Sequence, residues 1–567
     1  MADMNRRELM AALGTVSAGA LSSGCATSKA ETAASSSITR QRGKPLNILM
    51  IVTDQEMNFS TFPEGFMSRL PGHSQLLERG THITNYHVHT TPCSPSRSNI
   101  FTGQHTQHTR IYENTNTLNS ATLPDDMPTI GDMLRAAGYY TAYKGKWHLS
   151  SINGTRDWNQ EVRRAYPDTG NALEAYGFSD YGFDGESVGL TWAGHSDDGA
   201  VASDAADLIR QFGATDKTGG KPWFMAVNYV NPHDIMFFDA TGDQWRTRRS
   251  PDFISPMKGE PGGPLYAEDL GLELPPSFYL DDLSSKPEAQ RAIRQLNVPT
   301  YGEMPLENEA AWRRFRNYYF NCVREVDQHI LTLLWALEAS GQLENTIVVF
   351  TSDHGERAGA HGMRQKGGTV YREETNVPMV VVHPDVQGGR TTTALMSAVD
   401  IAPTLLGLAG REPGWTQERF PALVGVDTSA IISDAQTRTE RDARGHLFNL
   451  GVIYTWARQA DGQYDLSKRR LHRGVFDGQY KFARYFAPGD HHLPASFDEL
   501  KARNDLELYD LASDPNELAN LAAKPDESRS QLERLSAMTN TLIETEVGRD
   551  EGQEYAELDG DYYFTRP

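Results

Sequence analysis

The chain reads as an α/β protein: a three-layer domain on a mainly parallel central sheet, followed by a smaller α+β region. Three observations predict it: apolar runs of strand length, helical patterns between them, and polar clusters that close three of the runs. Residues 46–52 form the first run and end at Thr53-Asp54-Gln55. A run without polar alternation suits a strand buried on both faces of a parallel sheet. Comparable runs cover 223–230, 346–351 and 377–382. Between them the spacing predicts helices over 129–137, 200–212 and 310–339. The last carries Phe320, Val323, Val326, Ile330, Leu333, Leu334 and Leu337 three or four residues apart. Such alternation of strands and helices builds parallel sheets with both faces covered. The polar clusters are Asp54-Gln55, Asn231-Pro232-His233-Asp234 and Ser352-Asp353-His354-Gly355-Glu356. In parallel sheets such groups gather outside the carboxyl ends of the strands, so the three predict one shared site.

Residues 240–305 are rich in Pro and Gly and weakly periodic, which predicts a long insertion over the domain surface. Past about Gly410 the pattern changes. Asp477-Gly478 between the strand-like stretches of 473–482 is a hairpin signal. The expected division is a leader and tether over 1–44, the main domain over 45–440 and a C-terminal subdomain over 441–567.

The 567 residues suffice for two domains and a large core. A net charge of -21 excludes a nucleic-acid binder, which needs a basic footprint, and disfavours docking to anionic lipid. No window is long and apolar enough to span a bilayer. Arg6-Arg7 before a weak apolar stretch resembles a Tat signal, and Gly24-Cys25 resembles a lipoprotein cleavage site. The expectation is export through the Tat translocase to the periplasm, or to the cell envelope on a lipid anchor at Cys25. Residues 27–43, rich in Ser, Thr and Ala, read as a tether. Cys25, Cys93 and Cys322 are the three cysteines. Cys322 falls in the 310–339 helix as a small buried hydrophobe, so the fold is held without disulfides.

Cys93-Ser94-Pro95-Ser96-Arg97 is the most specific motif. It resembles the C-x-P-S-R signature of type I sulfatases of the alkaline phosphatase superfamily, whose cysteine is oxidised to formylglycine (3-oxoalanine). Supporting motifs follow in family order across about 45–525: Asp54-Gln55, Gly145-Lys146-Trp147-His148, Asn231-Pro232-His233, Ser352-Asp353-His354-Gly355-Glu356 and Lys366. The resemblance implies an alkaline-phosphatase-like three-layer domain and a small C-terminal domain with an antiparallel sheet and a helix. It also implies maturation by a formylglycine-generating enzyme, in the cytoplasm if export is by Tat.

Asp54, Asp353 and the hydrated product of Cys93 offer oxygen ligands to one divalent cation, as calcium prefers. Gln55 and His354 depart from the usual Asp and Asn of the family, and the nitrogen of His354 brings Mn2+ into range beside Ca2+ or Mg2+. Lys146 and His148 lie two apart, on one side of an extended segment. By the resemblance, Lys146 bridges sulfate and formylglycine, and His148 takes a proton from the second hydroxyl of the hydrate. His233 and Lys366 serve the leaving alcohol, and Arg97 holds the nucleophile as an alkoxide. Lys144 reads as solvent-exposed and idle. His105 and His108 read as structural residues on the helix that carries Cys93, while His195, Asp234 and His361 are candidates for the substrate mouth.

The resulting expectation is a hydrolase of sulfate monoesters, carried on a sulfated carbohydrate or another small alcohol, with loops 152–200 and 235–305 setting specificity. Gln55 and His354 also occur in relatives that cleave phosphonate monoesters and phosphodiesters, which makes that activity the alternative. An alternative of another class is a non-catalytic, lipid-tethered glycan-binding protein.

Overall fold

β1, Asn47–Asp54, is buried at every position, and its alternate side chains serve two different cores. Ile48, Met50 and Val52 pack with Ile130, Leu134, Leu405 and Leu406, whereas Leu49 and Ile51 pack with Val201, Ile209, Ile330 and Leu334. Period-two alternation along one strand therefore feeds a helical layer on each face. The computed structural model describes residues 45–115, 122–150, 171–181, 190–249, 255–449, 465, 467–487 and 490–548, together with the backbone of 557–558 and 561–562.

The other strands of the main sheet are β2 (Thr81–His87), β3 (Tyr140–Gly145), β4 (Trp223–Pro232), β5 (Thr346–Ser352), β6 (Met379–Val382) and β7 (Arg390–Ser397). They lie in the order β3-β4-β1-β5-β6-β2-β7. All neighbours are parallel except at β6, which runs antiparallel to both β5 and β2. The four apolar runs of the sequence are β1, β4, β5 and β6. Helices Ala193–Ala214 and Glu309–Ala339 cover one face, and Cys93–Thr102, Ile130–Ala136 and Ile401–Leu408 the other. Cys322 is fully buried in the long helix, as expected.

A second sheet, in the order β11-β10-β9-β8, comprises β8 (His446–Asn449), β9 (Leu471–Phe476), β10 (Tyr480–Phe486) and β11 (Asp505–Asp510), all antiparallel. The predicted hairpin joins β9 to β10. Asp477 Oδ1 accepts from the backbone N–H of Gln479 (2.9 Å) and Tyr480 (2.6 Å), and Gly478 takes a φ of 99° that a side chain would resist. One face of this sheet packs on helix Arg529–Leu542 through Val475, Phe482, Leu508, Leu532 and Leu535. The other face turns Phe448, Phe476, Ala483 and Tyr485 toward Ala289, Val370 and Leu395.

Two expectations are corrected. The 240–305 insertion is not only loop: Glu288–Tyr301 is a helix that buries Ala289, Ala292 and Ile293. His105 and His108 do not lie on the signature helix, which stops at Gly103 in a left-handed C-cap. His105 begins the next short helix, where its Nε2 meets Glu546 at 3.2 Å.

His105 belongs to a buried histidine cluster between the two sheets. The His89 ring lies 4.5 Å from the rings of both His105 and His446, and His446 is 5.3 Å from His87. Burial above all lowers the pKa of all four from an ordinary 6.5. Below that value the unfolded chain binds protons that the folded chain refuses, so stability falls as pH falls, by up to about 1.4 kcal/mol per pH unit for each site. The urea midpoint is expected to be lower at about pH 5.5 than at about pH 7.5. An unchanged midpoint would contradict this.

Candidate functional site

The three polar clusters converge. Asp353 continues from β5 with its N–H bonded to Thr53 O (3.1 Å), which sets the ends of β1 and β5 side by side. Gln55 then turns out of the ladder at a φ of 74°, a left-handed conformation that a non-glycine residue adopts at a cost. Its N–H bonds Asp353 Oδ1 at 3.2 Å. Cys93 opens helix Cys93–Thr102 below these ends, fully buried. Its Sγ lies 3.2 Å from His354 Nε2 and 3.7 Å from Asp54 Oδ1. One ligand atom each from Asp54, Cys93, Asp353 and His354 falls within 4.8 Å of the others.

Lys146 follows β3, where Gly145 permits the close approach: a Cβ there would stand 2.0 Å from Asn228 O. Lys146 Nζ donates to Asp54, and Lys366 Nζ donates to Gln55 Oε1. His233 follows β4, and Asp54 interacts electrostatically with Lys146, His233, His354 and Lys366 together. His148, at a φ of 55°, completes the Lys146-Trp147-His148 turn and interacts with Asp54, Arg97 and His233. The structure thus assembles Asp54, Gln55, Cys93, Arg97, Lys146, His148, His233, Asp353, His354 and Lys366.

Burial is the largest influence on Asp54, Cys93, Lys146, His148, His233, Asp353 and His354. It pushes the Cys93 thiol up to about 12, with Asp54 adding to the rise, so the encoded side chain carries almost no thiolate. It lowers His148, His233 and His354 and keeps them neutral. Burial alone would raise Asp54, but Lys146 and the neighbouring cations hold it well below the usual carboxylate range. Asp353 is raised by burial and then by Asp54 beside it. Two buried carboxylates, an amide oxygen and an imidazole nitrogen form a donor set that fits a divalent cation, and a cation would relieve the repulsion that lifts Asp353.

Arg97 binds the framework around Cys93. Nε donates to Trp147 O (2.9 Å), Nη1 to Asp353 Oδ2 (3.3 Å), and Nη2 to Tyr143 Oη (2.8 Å), Asn228 Oδ1 (2.7 Å) and Lys146 O. Ser94 Oγ donates to His148 O at 2.6 Å, and Ser96 Oγ donates to Asp353 O. The signature helix therefore pins the carbonyls of two loops that carry site residues.

The three mouth candidates each have partners of their own. Asp234 is buried, its carboxylate accepting the N–H groups of Gly194 (2.9 Å) and His195 (2.8 Å), and burial pushes its pKa up to about 7. His195 pairs through Nδ1 with Glu325 at 2.7 Å. His361 is fully buried, bonded to Asp281 (2.7 Å) and stacked 3.6 Å from the Tyr371 ring. Asp234 and His195 thus tie the first turn of helix Ala193–Ala214 to its neighbours, and His361 ties its loop to Asp281. Lys144 is also corrected: it is buried and paired with Asp204 at 2.7 Å, anchoring β3 to helix Ala193–Ala214. Sequence reading missed Asn228 and Tyr143, and gave Glu356 a place in its motif but no task. Asn228 had a signal, because a polar side chain inside a doubly buried strand needs a partner. Residues 152–170, 182–189 and 250–254 of the predicted specificity loops, and Cys25, fall outside the described residues.

A three-layer domain with its polar site outside the strand ends, and a separate antiparallel sheet, make up an alkaline-phosphatase-like fold. The sulfatase family profile matches residues 47–411, and the profile of the N-sulphoglucosamine sulphohydrolase C-terminal region matches 359–545. The chain belongs to the sulfatase family, and it is a sulfatase enzyme. A choline-sulfatase of Rhizobium meliloti is 25% identical over 505 residues, 85% of this chain and 83% of that one. A Δ4,5-hexuronate-2-O-sulfatase of Bacteroides thetaiotaomicron is 24% identical over 463 residues, 80% of each chain. Among solved structures, an enzyme in complex with its substrate D-glucosamine-2-N,6-O-disulfate superposes with a TM-score of 0.61 at 19% identity, covering 90% of this chain and 99% of that one. A phosphonate monoester hydrolase of Silicibacter pomeroyi shares the fold with a TM-score of 0.59 at 18% identity, covering 88% and 96%. Sulfatases generally use a metal ion and formylglycine, and Asp54, Cys93, Asp353 and His354 form a buried group that could hold a metal ion. No helix among the described residues is long and apolar enough to cross a membrane.

Proposed function

We propose that this sulfatase hydrolyses a sulfate monoester of a carbohydrate, using a formylglycine made from Cys93. The observation that carries the reading is the seat of Cys93: buried, 3.2 Å from His354 Nε2, and inert as a thiol with a pKa near 12. Asp54, Gln55, Asp353 and His354 would hold one divalent cation, with Ca2+ the first expectation and Mn2+ or Mg2+ next. Formylglycine, as its hydrate, supplies a hydroxyl to attack sulfur and a second whose proton can be removed to expel sulfate.

The chain's own groups supply the rest. Lys146 and Lys366 place two ammonium groups where a sulfate ester's charge must sit, and preorganised charge of this kind is usually the largest catalytic contribution. His148, kept neutral by burial, is a base for the hydrate proton. His233, close enough to Lys366 to be lowered by it, would serve the leaving oxygen together with that lysine, and a bound anion would raise its proton affinity when a donor is needed. Arg97 holds the Lys146-Trp147 backbone against the nucleophile. The named relatives that act on sulfated hexuronate and glucosamine support a sugar as the alcohol half. Tat export and a lipid anchor at Cys25 are part of the same reading.

The second reading, phosphonate monoester hydrolysis, is favoured by Gln55 and His354 in the ligand set and by the shared fold of the phosphonate monoester hydrolase. Comparing kcat/KM on matched aryl sulfate and aryl phosphonate esters, with intact-mass analysis of residue 93, separates the two. The sulfatase reading expects the sulfate to be preferred and Cys93 to be oxidised. A preference for the phosphonate, or an active enzyme with unmodified Cys93, would overturn it.

A further inference from the structure

The carboxamide of Gln55 is held at both ends by groups whose hydrogen-bonding sense cannot reverse. Lys366 Nζ, which only donates, bonds Oε1, and the Glu356 carboxylate, which only accepts when ionised, takes a bond from Nε2. The two ends of an amide are nearly the same size, so packing alone does not choose between them. Here the choice is forced, because a half-turn would set NH2 against ammonium and carbonyl against carboxylate. Gln365 Oε1 adds a second acceptor 3.4 Å from Nε2.

Glu356 is itself fixed. It is fully buried, and its Oε1 accepts from the N–H groups of Ala358 (2.9 Å) and Gln365 (2.7 Å), which leaves Oε2 for Gln55. The same carboxylate therefore ties down the 356–365 loop that leads into Lys366. Gln55 departs from the carboxylate usual at this family position, and only its oxygen can serve a cation. A neutral amide presents oxygen or nitrogen according to what lies behind it, and metal ligands are commonly oriented by such outer partners.

We infer that Glu356 is the positioning residue that turns Gln55 Oε1 toward the cation site and keeps Nε2 away from it. The inference rests on the metal-binding part of the proposed function. A wild-type protein that binds no divalent cation would remove that part, whereas the outcomes below bear on Glu356 alone.

The test uses the full chain stripped with a chelator and titrated calorimetrically with Ca2+, and separately with Mn2+, without substrate. In Glu356→Gln the introduced amide must meet two backbone donors and Nε2 of Gln55. The two N–H groups claim its oxygen, so its NH2 opposes Nε2 and favours the reversed orientation of Gln55. Cation affinity is expected to fall by about 10- to 100-fold. The double substitution Gln55→Glu with Glu356→Gln restores complementarity, because the introduced amide then donates to a carboxylate whose other oxygen faces the cation. Affinity is expected to return to at least the wild-type level. Wild-type affinity in Glu356→Gln would overturn the inference. So would a double variant that binds no better than the single one, since Glu356 would then serve the loop alone. If Glu356→Gln fails to fold, the double variant decides: folded and cation-binding supports the inference, and anything else overturns it.

Discussion

Cys93→Ala is expected to lower kcat/KM for sulfate ester hydrolysis by about 10³-fold or more, with the fold unchanged. Cys93 is packed without exposure, and neither a thiol with a pKa near 12 nor a methyl group can attack sulfur at neutral pH. The loss should therefore be in kcat more than in KM, because Lys146, Lys366 and the carboxylates that anchor the site remain. Cys93→Ser is the sharper variant. Its single hydroxyl can accept an SO3 group but has no second hydroxyl with which to release it, so turnover should stop after one event. Rapid-quench kinetics and intact mass check this: a stable adduct of one SO3 on residue 93 is the expected result. Steady turnover by Cys93→Ser would show that the side chain at this position is not the nucleophile.

The core strands were legible because a strand buried on both faces has no position left for a polar side chain. That signature marks 46–52, 223–230 and 346–351 without reference to their neighbours. β7 was not legible, because its exposed start, Arg390 to Thr393, alternates between water and the sheet and reads as loop. β2 was hidden for the same reason, with Thr81, Ile83 and its last two residues buried and the three others partly exposed. Helix Glu288–Tyr301 was obscured by its polar face and by Pro299 near its end. It forms because Ile293 and Ala289 find Tyr371, Val370 and Tyr485 across the chain.

The site divides along similar lines. Side chains that must meet at strand ends leave local clusters, which is why Asp54, His233 and Asp353 could be named in advance, while Cys93 and Lys146 were named by the resemblance of their motifs to the family's. Partners fixed by tertiary packing leave none. Lys144 looks like any solvated lysine until helix Ala193–Ala214 brings Asp204 beside it. His361 has the chemistry of a mouth residue, but Asp281 and Tyr371, distant in sequence, enclose it. Glu356 was visible in its motif, but its task appears only once Gln55 is seen to turn toward it.

The second large effect is expected at Asp54. Asp54→Asn should lower kcat/KM by about 10³-fold and cut the bound divalent cation measured by elemental analysis. The argument is electrostatic. Asp54 is fully buried, bonded to Lys146, and 3.5 Å from His354 Nε2. Its charge is the main counterweight to Lys146, whose proton affinity it raises against the opposing effect of burial. An amide of the same shape keeps the packing but leaves Asp353 as the one carboxylate of the cluster, too little charge for a tight cation site. The same substitution also frees Asp353 from a like charge, so its raised pKa should relax downward. A pH profile of cation binding separates the two consequences. In the wild type, protons compete with the cation for Asp353, so affinity should rise with pH through the acidic range. In Asp54→Asn that rise should shift to lower pH while the plateau affinity drops. Full activity and full cation content in Asp54→Asn would refute a carboxylate-anchored cation site.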